Sequence, residues 1–130
     1  MITRTVLPEN EARYAIEHHE FAPHVREHSR AVAVVSTQSW CPDWKGVDRW
    51  LRALVDDGEP ADFDLTVFTV VYDREPYFND YRSMKERVWG NGFVPYIRYY
   101  VDGVFIADTN QLSSKRFLET FRSHMRETAQ

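Results

Sequence analysis

A chain of 130 residues, 43% hydrophobic and 15% aromatic, is sized for one domain spanning residues 1–130 and is too rich in rings for a disordered polymer. Its net charge of -4 argues against a general binder of nucleic acid or anionic membrane. Its single cysteine, Cys41, excludes an internal disulfide and a zinc site built from several thiolates of one chain. The N-terminus carries no long apolar stretch, and the longest apolar run, residues 31–35, is far too short to span a bilayer. The expectation is a soluble, cytoplasmic protein.

Residues 1–30 are polar and read as a helical segment. Pro8-Glu9-Asn10-Glu11 can open a helix with Tyr14, Ile16, Phe21 and Val25 facing inward, and Pro23 bends or breaks it. Residues 31–35, Ala-Val-Ala-Val-Val, suit a strand buried on both faces, and Ser36-Thr37-Gln38-Ser39 reads as loop. Trp44, Val47, Trp50, Leu51, Leu54 and Val55 then share one helical face, and the helix should stop before the turn-rich residues 56–60.

Residues 65–71 form the clearest second strand, and residues 80–89 a short helix with Tyr81, Met84 and Val88 in register. Gly90-Asn91-Gly92 breaks the chain. Residues 96–101 make a third strand, Asp102-Gly103 a hairpin turn, and residues 104–107 the return strand. Ser113 or Ser114 caps a last helix lined by Phe117, Leu118, Phe121 and Met125. This alternation predicts an α/β fold. A mixed β-sheet has parallel strands joined through right-handed helical crossovers, an antiparallel hairpin, and helices on both faces.

The chemically pointed position is Cys41. It follows a buried strand and opens an amphipathic helix, where unpaired backbone N–H groups and the helix dipole favour an anion. A thiolate is therefore favoured at such a position. Pro42 fits the first helical position and places Cys41 at the N-cap. Lys45 can add positive field, and Asp43 opposes it. Read alone, a lone cysteine is equally a small buried hydrophobe. Trp44 and Trp50 can pack helix onto sheet, while Trp40, on the loop side, is a candidate surface ring beside a substrate or partner.

Trp40-Cys41-Pro42-Asp43-Trp44-Lys45, following the strand at 31–35, resembles the Trp-Cys-x-x-Cys-Lys segment of the thioredoxin family, with Trp44 in the place of the second cysteine. Residues 92–103, Gly-Phe-Val-Pro-Tyr-Ile-Arg-Tyr-Tyr-Val-Asp-Gly, are similar to the family's second signature, with Pro95 in the cis-proline place. By itself Pro95 fits a trans proline ahead of a strand. The resemblance covers roughly the hundred residues after residue 30, and implies a thioredoxin-like fold with helices on both faces of a central mixed sheet. It also implies that Pro95 lies beside Cys41, that Val94 offers backbone polar groups to an extended substrate, and that Trp40, Trp44, Val94, Pro95 and Tyr96 form the binding groove. It calls for no cofactor.

Two departures limit that reading. Trp44 cannot resolve a mixed disulfide, so no intramolecular dithiol cycle is available. The buried acid that many thioredoxins carry six residues before the first cysteine is replaced by Val35. Three readings follow. Cys41 acts as a monothiol centre, forming mixed disulfides with a protein or with a small thiol such as glutathione, with electrostatic support from Lys45. Alternatively, the domain is a redox-inactive binding module for a peptide or protein. The third is oxidation of Cys41 to a sulfenic acid by peroxide.

Other clusters read as structural. His18, His19, His24 and His28 are surface histidines, although His24 and His28 have chelating spacing. Asp62 and Asp64 are strand-entry charges, and Asp73-Arg74-Glu75 is a loop. Tyr77, Phe78 and Tyr81 form an aromatic patch or fill the core. Tyr96, Tyr99 and Tyr100 are sheet surface and core. Phosphate loops, a Ser-His-Asp arrangement and a zincin motif are absent from the sequence.

Overall fold

The computed structural model describes residues 1–57 and 62–128. Its centre is β2 (Ala31–Thr37), whose residues are all buried. β3 (Leu65–Val71) pairs parallel with one side of β2, in register from Ala31 opposite Leu65 to Thr37 opposite Val71. β4 (Tyr96–Val101) pairs antiparallel with the other. β1 (Ile2–Val6) adds parallel to β3, and β5 (Val104–Thr109) antiparallel to β4. The order β1-β3-β2-β4-β5 makes a mixed five-stranded sheet.

Strand alternation sorts the apolar side chains into two layers. Ala33 and Val35 of β2, with Ile97 and Tyr99 of β4, meet α3 (Pro42–Asp57) through Trp44, Val47 and Leu51, and α5 (Ser114–Thr128) through Phe117 and Phe121. Val32, Val34 and Tyr100 face the other way. They pack on Ala12 and Ala15 of α1 (Glu9–His18), Val25 of α2 (Pro23–Arg26), and Tyr81 and Met84 of α4 (Phe78–Arg87). Each fully buried Val, Leu or Phe contributes about 1.5–3 kcal/mol, so both layers are needed to hold β2. The β4–β5 hairpin turns at Asp102 and Gly103, both at positive φ, which suits a two-residue turn.

The N-terminal segment corrects the sequence reading. Residues 1–30 are not helical throughout, because Ile2–Val6 forms the edge strand β1. Within it only Ile2 is buried, so an edge strand with one apolar anchor shows no hydrophobic run. The helix is not broken by Pro23: α1 ends earlier, at His18, where His19 takes a left-handed cap, and Pro23 instead opens α2. Ser36 and Thr37, expected in a loop, extend β2, and the Ser36 hydroxyl meets the Tyr81 hydroxyl at 2.7 Å inside the core. α3 runs through Asp57 rather than stopping before Asp56, and the rest of the expected turn, 58–60, lies outside the described residues. In α4 the predicted inward Val88 is exposed, and Lys85 is buried instead. No helix among the described residues is long and apolar enough to cross a membrane.

Candidate functional site

Cys41 lies where β2 hands over to α3. Pro42 is the first residue of α3, and the Cys41 carbonyl accepts the Lys45 N–H at 3.4 Å, so Cys41 is the N-cap. The loop leading into it is fastened at several points. The Cys41 N–H donates to the Gln38 carbonyl at 3.3 Å. Ser39 donates its N–H and its hydroxyl to the Asp73 carboxylate at 2.8 and 2.6 Å. Asp73 lies in the 3-10 turn Tyr72–Arg74 after β3, so a charge-assisted clamp joins the ends of two neighbouring strands. Gln38 donates to the Tyr72 hydroxyl at 3.2 Å and accepts from the Trp40 indole at 2.6 Å.

Across from this loop stands the segment before β4. The Cys41 thiol donates to the Val94 carbonyl at 3.7 Å, and the Val94–Pro95 peptide bond is cis. Cys41 and the Val94–Pro95 loop, 53 residues apart in sequence, are therefore neighbours in space. Cys41 is only 4% exposed. Trp44 is buried in the same apolar layer, and the Arg4 guanidinium sits 5.6 Å from its ring centroid while pairing with Asp48 of α3. Val35 belongs to that layer too, so the position six residues before Cys41 is filled by packing. Two rings stand free at the rim. Trp40, next to Cys41, is 63% exposed, and Phe93, next to Val94, is 74% exposed.

Of the residues singled out from the sequence, Cys41, Val94 and Pro95 come together, with Trp40 beside them at the surface and Trp44 beneath. Lys45 is exposed on the outer side of the first turn of α3. Tyr96 points elsewhere. It is fully buried in the layer under α4, donates to Asp108 at 2.8 Å and accepts from Arg98 at 3.0 Å, so its side chain offers nothing to a groove. Burial holds its phenol well above the ordinary range. The tyrosines at 77, 81, 99 and 100 are likewise core residues. Among the described residues no cluster of His, Cys, Asp and Glu could hold a metal ion. His24 pairs instead with Glu11 at 2.9 Å, and His28 meets the Phe68 ring edge-on. Asp62 takes a two-pronged contact from Arg122, which holds its carboxyl below the ordinary range.

Sequence reasoning missed two supports. Asp73 was legible only as a loop charge, because its partner Ser39 is 34 residues away. Lys85 drew no reading from the sequence, yet it is completely buried, and its ammonium donates to the carbonyls of Asn91 and Phe93, each at 2.8 Å. Burial pulls it from the ordinary 10.5 down to about 8, against a weaker pull from Glu86. The available signal was a lysine one position from Met84 on a helix whose Val88 lies outside the core.

No family model matches this chain, and no curated protein matches it. Solved structures do resemble it. Thioredoxin O1 from Arabidopsis thaliana superposes with a TM-score of 0.61 at 13% identity, covering 94% of this chain and 96% of that one. Thioredoxin O2 from the same plant gives 0.60 at 16% identity, over 94% and 92%. Trxlp from Edwardsiella tarda EIB202 gives 0.57 at 18% identity, over 92% and 96%. At such identities the likeness speaks to fold. The strand order, the helices on both faces and these superpositions agree that this is a protein of thioredoxin-like fold with one cysteine.

Proposed function

We propose that the protein is a monothiol thiol–disulfide exchange protein acting through Cys41. The observation that carries this reading is the approach of the Cys41 sulfur, at the N-cap of α3, to the Val94 main chain beside Pro95. A disulfide partner lying along the Val94–Pro95 loop would have one sulfur within reach of Cys41. The Cys41 thiolate attacks that sulfur, a Cys41–S–S–R bond forms, the S–S bond of the partner breaks, and the other half leaves as a thiolate. The electron count is unchanged by the exchange. An external thiol then attacks the mixed disulfide and returns Cys41 to its reduced form. The R sulfur departs in a disulfide with that external thiol. Trp40 and Phe93 supply apolar contact on the two sides of the path.

The test is mass spectrometry after incubation with oxidised glutathione and, separately, with a disulfide-bearing peptide. The wild type should gain one adduct, removable by reductant, and Cys41→Ser should gain none while keeping its fold and losing no more than about 1 kcal/mol. A wild type that forms no adduct in its folded state would overturn the reading.

A second reading rests on one observation, the burial of Cys41. In it the same rim binds an extended polypeptide without covalent chemistry. Capture of a partner would then fail in Trp40→Ala and survive in Cys41→Ser.

A further inference from the structure

The pattern of α4 calls for apolar residues at its inner positions, and Tyr81 and Met84 supply them. Lys85 is buried alongside them with no exposed surface. An ammonium is costly to take out of water, and a methionine would fill similar space without that cost. What the charge accomplishes is shown by its surroundings. Its donors meet the carbonyls of Asn91 and Phe93, and it stands 5.4 Å from the Tyr96 ring centroid. Glu86 on its own helix pulls weakly on it but pairs with Arg82 at 3.8 Å rather than with Lys85. Residues 88–95 carry no ionisable side chain.

Both carbonyls belong to the segment that delivers Val94 to the site. That segment contains Gly90 and Gly92 and forms neither helix nor strand, so nothing regular holds it. Apart from the turn leaving α4 and the Asn91 N–H, which donates to the Lys85 carbonyl at 3.2 Å, its ties are side-chain ones. Asn91 and Asn110 exchange amide hydrogen bonds at 2.8 and 3.0 Å, and Asn110 also donates to the Pro95 carbonyl at 2.9 Å. Val94 is thus bracketed. The carbonyl before it is held by Lys85 at 2.8 Å, with a longer 3.4 Å contact from Asn110, the carbonyl after it is held by Asn110, and its own carbonyl is the acceptor for the Cys41 thiol.

We propose that Lys85 is a positioning residue for the Cys41 site, its ammonium fixing the backbone on the Phe93 side of Val94 so that the Val94 carbonyl stays against the Cys41 sulfur. This deepens the proposed function and rests on its assignment of Cys41 and the Val94–Pro95 loop as the site. Lys85 touches neither the thiol nor a bound partner in this scheme. It acts through two peptide groups.

The test compares wild type, Lys85→Met and Lys85→Arg at pH 7 by two readouts. One is the rate of Cys41 alkylation by iodoacetamide in the folded protein, followed through urea concentrations below the unfolding transition. The other is amide hydrogen exchange at Asn91 and Phe93, whose N–H groups donate to the Lys85 carbonyl at 3.2 Å and to the Asn91 side chain at 3.0 Å, with amides of β2 and β3 as controls. In Lys85→Met, alkylation should rise at least fivefold with no steeper dependence on urea. Protection of the two loop amides should fall by a similar factor while the β2 and β3 amides hold. Lys85→Arg, which keeps charge and donors, should return both readouts most of the way. An unchanged loop in Lys85→Met would overturn the proposal, as would a gain in alkylation that grows with urea and is shared by β2. Lack of rescue by Lys85→Arg, or a Lys85→Met chain that does not fold, would do so too, since Lys85 would then be serving the fold as a whole. Neither readout requires disulfide exchange, so a protein that passes this test yet forms no glutathione adduct loses the function and keeps the positioning role.

Discussion

Replacing Lys85 by methionine should change how stability depends on pH more than it changes stability at pH 7. The folded protein holds the Lys85 ammonium at about 8, against an ordinary 10.5. Between those values the folded chain has released a proton that the unfolded chain still binds, so raising the pH favours the fold. Integrated from pH 7 to pH 9.5 with those two values, the wild type gains about 2 kcal/mol that the methionine variant cannot gain. At pH 7 the two differ little, because relief from burying a charge offsets the loss of its two carbonyl bonds. The assay is urea unfolding of both proteins at the two pH values, read as a difference of differences. The buried phenols of Tyr81, Tyr96 and Tyr100, all raised by burial, titrate alike in both proteins and cancel. A gap between the proteins that stays constant within about 0.5 kcal/mol across the range would refute the reasoning.

Three further outcomes are expected. Asp73→Ala removes the carboxylate that accepts both Ser39 groups, and should lower stability by about 2 kcal/mol in urea unfolding while accelerating Cys41 alkylation in the folded state. Trp44→Cys places a second thiol one helical turn after Cys41; intact-mass measurement after mild oxidation should then show a monomer lacking two hydrogens, at some cost in stability from the vacated ring volume. Trp40→Ala, at a largely exposed ring, should leave the unfolding free energy within about 0.5 kcal/mol of wild type and weaken capture of a polypeptide partner.

Sequence pattern carried the elements whose side chains report on their own surroundings. The run at 31–35, the strand Leu65–Val71 and the helical stripe from Trp44 to Val55 each bury what their period says they should. The Cys41 and Pro95 segments were legible as a pair through their resemblance to a known family. What escaped has a common physical cause, which is that the partner is remote in sequence. β1 is a strand because Ile2 to Val6 find hydrogen bonds on β3, more than sixty residues on, and not because the segment is apolar. Ser36 and Thr37 stay in β2 because the sheet pairs their backbone, and the Ser36 hydroxyl finds Tyr81. Tyr96 adjoins Pro95 in the chain, yet strand alternation sends its ring to the opposite layer from Ile97. Lys85 is inside because a loop returns two carbonyls to it.

The Arg98 guanidinium is stacked between the rings of Trp89 and Phe105, 4.2 Å from each centroid, and pairs with Glu20 at 2.9 Å. Trp89 in turn donates its indole N–H to the His19 carbonyl at 2.9 Å. The turn after α1 is thereby riveted to the hairpin at the far edge of the sheet, while β1 closes the near edge. Trimming the polypeptide back to Ala31 would strip the β1 border and, with it, the turn that braces the β4–β5 hairpin. It would strand the inward-facing cation on β4 without its anion and uncover the β3 backbone as an adhesive edge for other chains. The first thirty residues are the hem of this fold, and a shorter soluble version would need a new counter-charge and a new border strand.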